Sequence, residues 1–149
     1  MLGFPRKLLF AIEAVLDIAY NAAEHPIRSG EIADRQDIPR RYLEQVLQHL
    51  VRAEILDGVR GPRGGYRLAK ERRLISLGAI VRVVHGVDVE EECANLTSEL
   101  GQKVVEPLWR TLNSEWMARL DEITIENLVR DAKGLGIGRT DDPPLDFAI

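Results

Sequence analysis

Cysteine is nearly absent from this chain, since Cys93 is the only one among 149 residues. A single thiol excludes a disulfide framework within one subunit and any metal site built from cysteines alone. The cysteine content therefore favours a reducing compartment, and we expect a cytoplasmic protein. Histidine is sparse as well. His25, His49 and His85 form neither an i, i+4 pair nor a Cys-His spacing, so they do not indicate a zinc site.

Long apolar runs are also missing. No stretch approaches the ~18 apolar residues that a membrane span needs. The first stretch, MLGFPRKLLFAIEAVLDIAY, carries Glu13 and Asp17 and no small-residue cleavage site follows it, so we expect a helix rather than a signal peptide or membrane anchor. Hydrophobic residues at 45% and charged residues at 30% are ordinary for one globular domain, although aromatic residues are scarce at 5%.

Motifs of catalysis are lacking too. The sequence has no GKS or GKT phosphate loop, no GxSxG elbow and no pair of carboxylates with an evident pocket. The GLGIG stretch at 134–138 follows a predicted helix rather than a strand, which makes it a linker and not a dinucleotide loop. We therefore do not expect an enzyme.

The net charge of −4 hides an uneven distribution. Residues 1–86 hold 14 Lys and Arg against 10 Asp and Glu, whereas residues 87–149 hold 6 against 14. The segment 39–73 has nine basic and four acidic residues. A local basic patch of this kind indicates phosphate binding even in an acidic protein.

Helical periodicity dominates the first half of the chain. Apolar residues at helical spacing predict a first helix over about 6–23, and Ser29 is a candidate N-cap for a short helix over 30–35. After the turn at 37–39, Pro39 begins a third helix whose apolar stripe consists of Leu43, Val46, Leu47, Leu50 and Val51. The period then changes to two, and the Gly-rich segment 61–65 predicts the turn of a β-hairpin.

The second half contains further helices. Ser76 is expected to cap a fourth helix that ends at Gly86, and Thr124 a last helix that ends at Lys133. Between them, from Val104, the apolar stripe Val105, Leu108, Trp109, Leu112, Trp116, Leu120 and Ile123 runs for about five helical turns. One small domain cannot cover so much apolar surface, so the stripe indicates a partner helix from a second subunit. Its predicted interface residues are Leu108, Trp109, Leu112, Trp116 and Leu120.

This order of elements is typical of a winged helix-turn-helix domain, in which the third helix enters the major groove of DNA and the hairpin forms a wing. We predict a mainly α fold with a small β-hairpin and a long C-terminal dimerisation helix. The expected divisions are a DNA-binding domain over 1–86, a sensor-type loop over 87–103, dimerisation helices over 104–133 and a flexible tail over 134–149.

The exposed face of the third helix carries groups that read bases. Gln45 can pair with adenine and Arg41 with guanine, while Glu44 can accept from cytosine or neutralise Arg40 and Arg41. The alternatives are a merely solvated helical face or a protein-interaction module. In the wing, Arg60 and Arg63 can enter a narrow minor groove, and the glycines allow backbone N–H groups to approach phosphates. Tyr66 is expected to anchor the wing to the domain, because it shares its parity with Leu68.

The candidate DNA-binding residues belong to the start of the second helix, the third helix and the wing. They are Ser29, Arg40, Arg41, Tyr42, Glu44, Gln45, Gln48, Arg60, Gly61, Arg63, Gly64 and Gly65.

The segment GEIADRQDIPRRYLEQVLQHLVRAEILDGVRGPRGGYRLAK resembles the family of bacterial winged-helix regulators that includes IscR, NsrR and RirA. Tyr42 to Gln45 and the wing from Arg60 to Tyr66 carry its most specific signatures, and the resemblance covers roughly residues 6–130. It implies a homodimer that binds double-stranded DNA at a near-palindromic operator, with the wing residue Arg60 in the minor groove, and we expect it to act as a repressor. It also implies a part for Glu44 in choosing between operators.

Many members of that family hold a two-iron cluster with three cysteines, some with an added histidine. Cys93 matches the first cysteine, but Lys103 stands near the place of the third and Glu106 near that of the histidine. Three interpretations of Cys93 stay open. The first is an iron–sulfur ligand that acts together with carboxylates such as Glu106, and the second is a redox-sensing thiol. The third is a residue without a sensing role, in a protein that is regulated by another ligand or by a protein partner. The three glutamates of 90–92 would raise the pKa of this thiol and weaken the second interpretation.

Overall fold

The structure, a computed structural model, describes residues 5–22, 24–85 and 96–142. Within these ranges the chain is mainly helical with one two-stranded antiparallel hairpin, and the predicted fold class is confirmed. The elements are α1 (Arg6–Asn21), α2 (Ser29–Gln36), α3 (Arg40–Arg52), β1 (Leu56–Val59), β2 (Gly65–Leu68), a 3₁₀ turn (Arg72–Leu74), α4 (Leu77–His85), a π turn (Gly101–Val105), α5 (Glu106–Glu122) and α6 (Ile125–Gly134). In these described ranges, no helix is both long enough and apolar enough to cross a bilayer.

Helix α1 forms the centre of the core. Its residues Leu8, Ala11, Val15 and Ile18 are almost completely buried because their spacing of three or four places them on one side of the helix. This side packs against α2, α3, α4 and α6. The central position of α1 means that it connects the first half of the chain with the C-terminal helices.

A buried carboxylate fixes α2 to α1. Asp17 is 3% exposed, yet its two oxygens accept hydrogen bonds from Arg35 Nη2 at 2.8 Å, Arg35 Nε at 2.9 Å and Gln36 Nε2 at 2.8 Å. The hydrogen bond to Asp17 raises the pKa of Arg35 above its ordinary value. Burial of a charge is tolerated only when it is paired in this way, so the position of α2 depends on this cluster.

Side chains cap two of the helices as the sequence predicts. Ser76 Oγ accepts from the backbone N–H of Ala79 at 3.1 Å, and Thr124 Oγ1 accepts from the N–H of Asn127 at 3.2 Å. The prediction that Ser29 is the N-cap of α2 is wrong, because the helix begins one residue earlier and Arg28 occupies the cap position. The carboxylate of Glu31 accepts from the backbone N–H of Arg28 at 3.4 Å, which is the contact that the third residue of a helix makes in a capping box.

The long C-terminal helix begins earlier than its apolar stripe suggests. Residues 99–103, assigned to a loop by the sequence, are already helical. This helical segment includes the π turn Gly101–Val105, in which Glu106 N donates to Gly101 O. It lies directly before Pro107, whose ring lacks an N–H and crowds the preceding turn, so the wider turn accommodates the proline.

The C-terminal end of α5 is attached to α4. Arg82 and Asp121 form a bidentate pair with Nη1–Oδ1 and Nη2–Oδ2 distances of 2.7 and 2.8 Å. Gly78 allows this approach, because a Cβ atom there would lie 1.8 Å from Asp121 Oδ1. Arg82 also lowers the pKa of Asp121 below its ordinary value through this hydrogen bond. The long helix is therefore joined to the N-terminal half at one end.

The flexible tail predicted from residue 134 contacts α1 in its first part, up to residue 142. Tyr20 Oη donates to the carbonyl oxygen of Ile137, and Asn21 Oδ1 accepts from Thr140 N at 3.0 Å. Arg139 lies over the ring of Tyr20 at 6.0 Å from its centroid. These contacts join residues about 120 positions apart, which composition cannot indicate. The last residues, 143–149, lie outside the described part of the chain.

Candidate nucleic-acid interface

Helix α3 separates its side chains as the sequence predicts. Leu43, Val46, Leu47 and Leu50 are at most 4% exposed and form the inner face. The opposite face is exposed and consists of Arg41, Glu44, Gln45, Gln48 and Arg52. Because 3.6 residues complete one turn, burying the apolar stripe forces these polar side chains outward. This face therefore presents two guanidinium groups, two amides and a carboxylate to solvent.

Two predicted contact residues at the start of α3 have other partners. Arg40 Nη2 lies 3.2 Å from Asp34 Oδ1 in an exposed ion pair. Tyr42 is half-buried, its hydroxyl donates to the carbonyl oxygen of Lys7, and its ring centroid is 5.9 Å from that of Phe10. Burial raises the pKa of Tyr42. Tyr42 therefore attaches α3 to α1, and its predicted contact with DNA stays a prediction.

The wing is the hairpin of β1 and β2, with pairs running from Leu56 with Leu68 to Val59 with Gly65. Arg60, Gly61 and Arg63 are exposed at its tip. Tyr66 is half-buried and packs against the core, in agreement with its predicted anchoring role.

Two wing glycines are required by the shape of the hairpin. A Cβ atom at Gly64 would lie 2.2 Å from the carbonyl oxygen of Val59, and one at Gly65 would lie 2.5 Å from that of Ile27. Moreover, Gly64 N already donates to Gly61 O at 2.9 Å. The predicted approach of the Gly64 N–H to phosphate is therefore corrected, whereas that of Gly65 stays a prediction and Gly61, with φ of 106°, is exposed at the tip.

An extended segment before α2 adds to the wing. Ile27 N donates to Tyr66 O at 2.9 Å, and Tyr66 N donates to Ile27 O at 2.7 Å. Next to it, Arg28 Nη2 donates to the carbonyl oxygen of Pro62 at the wing tip. Sequence reasoning missed both residues, because the local signal at this point, Pro26, only disfavours helix at the residue before it.

A cleft of about 850 Å³ lies between the start of α2, the start of α3 and the wing. Arg28, Arg40 and Arg60 line it together with Ser29 and Gly61. Glu31 and Asp34 lie in the same lining, so the cleft contains both signs of charge. Guanidinium groups beside a helix N-terminus provide N–H donors for phosphate oxygens. The cleft thus brings together residues of α2, α3 and the wing that the sequence assigned to one function.

The predicted dimer residues divide into two groups. Leu108, Trp109, Leu112 and Trp116 are 58, 44, 47 and 43% exposed. Leu120, in contrast, is 7% exposed and belongs to the core of its own chain, so its assignment to a dimer interface is wrong. The reason is that the end of α5 packs against α4 and covers Leu120.

The candidate metal ligands are not assembled in the described residues. Glu106 is paired with Arg110, with 2.5 Å between Oε1 and Nη2. Cys93 lies outside the described ranges. Among residues 5–22, 24–85 and 96–142, no three His, Cys, Asp or Glu side chains are placed to hold a metal ion.

Comparison with known proteins agrees with this geometry. The family described as "Rrf2: Iron-dependent Transcriptional regulator" matches residues 4–131. The regulator IscR of Vibrio atlanticus is 33% identical over 142 residues, covering 94% of this chain and 81% of that protein. The structure of IscR from T. potens superposes with a TM-score of 0.76 at 31% identity, covering 92% of this chain and 93% of that one. The B. subtilis global cysteine regulator CymR gives a TM-score of 0.69 at 26% identity, covering 88% and 98%.

The helix pair α2–α3 beside an arginine-bearing hairpin defines a winged helix-turn-helix protein. With the matches above, this is a DNA-binding transcriptional regulator and not an enzyme. The chain belongs to the Rrf2 family. The name of this family implies iron, but the donor set does not fit a cluster held in the usual way, because clusters take cysteine thiolates and this chain has one cysteine while Glu106 is paired with Arg110.

Proposed function

We propose that the protein is a homodimeric repressor that binds a near-palindromic operator through two copies of α3 and two wings. One observation carries this proposal: a single cleft is lined by side chains of α2, α3 and the wing, including Arg28, Arg40 and Arg60. Such a surface is suited to the backbone of a duplex, which places phosphates next to both grooves.

Sequence reading belongs to the exposed face of α3. Arg41 offers two parallel donors to guanine O6 and N7, and Gln45 offers one donor and one acceptor to adenine. Both side chains are exposed and neither is used in the core. Glu44 lies between them and accepts from the amino group of cytosine, which makes α3 selective for more than one base.

The wing supplies the second set of contacts. Arg60 and Arg63 flank Pro62 at the exposed tip. A guanidinium is favoured in a narrow minor groove because the negative potential there is strongest. The wing therefore reads groove width, while α3 reads base edges in the major groove.

The proposed dimer interface is the exposed apolar surface of α5, defined by Leu108, Trp109, Leu112 and Trp116. Burying aromatic side chains of this size stabilises most interfaces. Two-fold symmetry would place the two α3 helices on half-sites about one turn of DNA apart, roughly 34–36 Å. An operator with two-fold symmetry follows from this arrangement.

DNA binding is tested by selecting a duplex from a randomised pool and then titrating it by fluorescence anisotropy. A specific regulator should show an affinity that falls linearly with salt on logarithmic axes. Arg60→Ala should weaken binding by about 5- to 150-fold, the range of one good base contact. Arg67→Ala is the matched control, because it removes the same charge from the exposed side of β2 away from the tip. Equal losses of affinity in the two variants would show that the wing contributes only general positive charge. If no duplex gives saturable binding, the protein is a protein-interaction module instead.

The direct contact of Gln45 has its own test. Gln45→Ala should relax the base preference at one position of each half-site in the same selection. An unaltered preference would contradict direct reading by this residue.

The dimer is tested by light scattering of a variant that combines Trp109→Ala and Trp116→Ala. The loss of two large interface side chains should shift the protein towards the monomer and reduce its affinity for the two-half-site duplex. Leu135→Ala is a suitable control, since this residue is 78% exposed and lies beyond α6. A double variant that still has the mass of a dimer would refute the assignment of the interface to α5.

A cluster held at Cys93 is the alternative form of regulation, and we expect operator binding without it. Protein purified without oxygen should have no iron that depends on this residue. Visible absorption and iron that disappear in Cys93→Ala would overturn that expectation and identify Cys93 as a ligand.

A further inference from the structure

The wing is attached to the rest of the domain at two places. At its base, the paired N–H and C=O groups of Ile27 and Tyr66 extend the hairpin by a third segment. At its tip, the guanidinium of Arg28 donates to the carbonyl oxygen of Pro62. Since two-stranded hairpins of four residues a strand are only marginally stable alone, both attachments restrict how the wing is oriented.

The second attachment is next to the proposed minor-groove contact. Pro62 lies between Arg60 and Arg63, the two exposed arginines of the tip. The turn closes by the hydrogen bond from Gly64 N to Gly61 O at 2.9 Å, so residues 61–64 form one short structural unit. A side chain bound to the carbonyl of Pro62 therefore limits the movement of both arginines.

The other end of Arg28 is fixed to the helix-turn-helix. Its backbone N–H donates to the Glu31 carboxylate at 3.4 Å, and its carbonyl accepts from Glu31 N at 3.1 Å. Arg28 is also the N-cap of α2, the helix that Asp17 attaches to the core. One residue thus joins the frame that carries α3 to the tip of the wing.

We propose that Arg28 is a positioning residue for DNA binding: by holding the carbonyl of Pro62 it sets the place of Arg60 relative to the reading face of α3. The inference rests on the proposed function, in which Arg60 enters the minor groove. Arg28 acts here through the wing rather than as one more phosphate contact, although it lines the same cleft.

A double-mutant cycle separates these two roles. We expect Arg28→Ala to weaken binding to the selected duplex, and most of this loss to disappear when Arg60 is already alanine. The non-additivity should be at least about threefold in affinity, because side chains that act through one another couple. Arg40→Ala is the matched control, since Arg40 lines the cleft but pairs with Asp34. The fold-loss of affinity in the Arg40→Ala, Arg60→Ala double variant should equal the product of the two single losses.

Amide hydrogen exchange without DNA gives a second measurement. Arg28→Ala should speed the exchange of Gly64 N–H in the wing turn and leave the buried amides of α1 unchanged. An additive cycle, or an unchanged exchange rate at Gly64, would overturn the role of Arg28. If Arg60→Ala itself binds the duplex as tightly as the natural sequence, the proposed minor-groove contact fails, and that outcome is separate from the exchange result.

Discussion

Replacing Asp17 by alanine should destabilise the protein by about 3 kcal/mol, the lower end of the range for breaking a buried ion pair. The Asp17 side chain has no solvent exposure, and its loss would leave three N–H donors of Arg35 and Gln36 without their acceptor. Arg35 keeps 28% of its side-chain surface exposed, so water can replace part of the lost interaction. This exposure is the reason for choosing the lower end.

The matched control for this prediction is Asp34→Ala. The pair that Asp34 forms with Arg40 is exposed, with side-chain exposures of 73% and 68%, and such pairs contribute about 0–1 kcal/mol. A further variant, Asp17→Asn, keeps the volume and can still accept one hydrogen bond, so its loss should fall between the two. The comparison therefore separates burial from charge.

Urea unfolding followed by circular dichroism measures these differences, at one fixed protein concentration because dimerisation contributes to the apparent stability. About 3 kcal/mol is a large part of the 5–15 kcal/mol that ordinary domains have. If Asp17→Ala lies within about 1 kcal/mol of Asp34→Ala, the argument that the buried carboxylate holds α2 on α1 is refuted.

Three further changes follow from the same structure. Gly65→Ala should lower the free energy of unfolding by about 1–3 kcal/mol, because the new Cβ would lie 2.5 Å from a carbonyl oxygen and the backbone φ is 153°. Gly58→Ala is the control and should be nearly neutral, because no atom lies within 4 Å of its Cβ position. Asp121→Asn should flatten the loss of stability in acid, because Arg82 lowers the pKa of Asp121 in the folded state. The stabilisation from this carboxylate is complete above the ordinary carboxyl pKa of about 3.9 and is lost as the pH falls through the lowered pKa. Melting curves between about pH 5 and 2 check this, and parallel curves would contradict it. Asn21→Ala should speed amide exchange and proteolysis in residues 137–142, and unchanged protection there would show that the side chain does not hold this segment.

Local signals predicted most elements of the fold. The stripe of α3 has one spacing and one buried side, so the burial of Leu43 and Leu47 and the exposure of Gln45 follow from periodicity alone. The caps at Ser76 and Thr124 depend on hydrogen bonds between residues three positions apart. The wing turn could be predicted in the same way, because Gly and Pro determine backbone geometry within a few residues.

The differences from the predicted roles concern residues that contact distant parts of the chain. Leu120 belongs to the same apolar stripe as Trp116, but α4 covers only the end of the helix and takes Leu120 into the core. Tyr42 lies in the most specific stretch of α3, yet its hydroxyl bonds to Lys7 in α1. No local pattern distinguishes an apolar residue that meets its own chain from one that meets a partner.

The sequence by itself determined the order of helices and hairpin, the polar face of α3 and the basic wing, because each depends on spacing or turn chemistry within about ten residues. Only the tertiary structure decided that Arg28 reaches Pro62 across 34 positions, that Asp17 holds α2, and that residues 137–142 return to α1. Such contacts depend on how the elements pack. Each of them closes a long loop, and the burial of the shared core, rather than any nearby residue, provides the free energy for this closure.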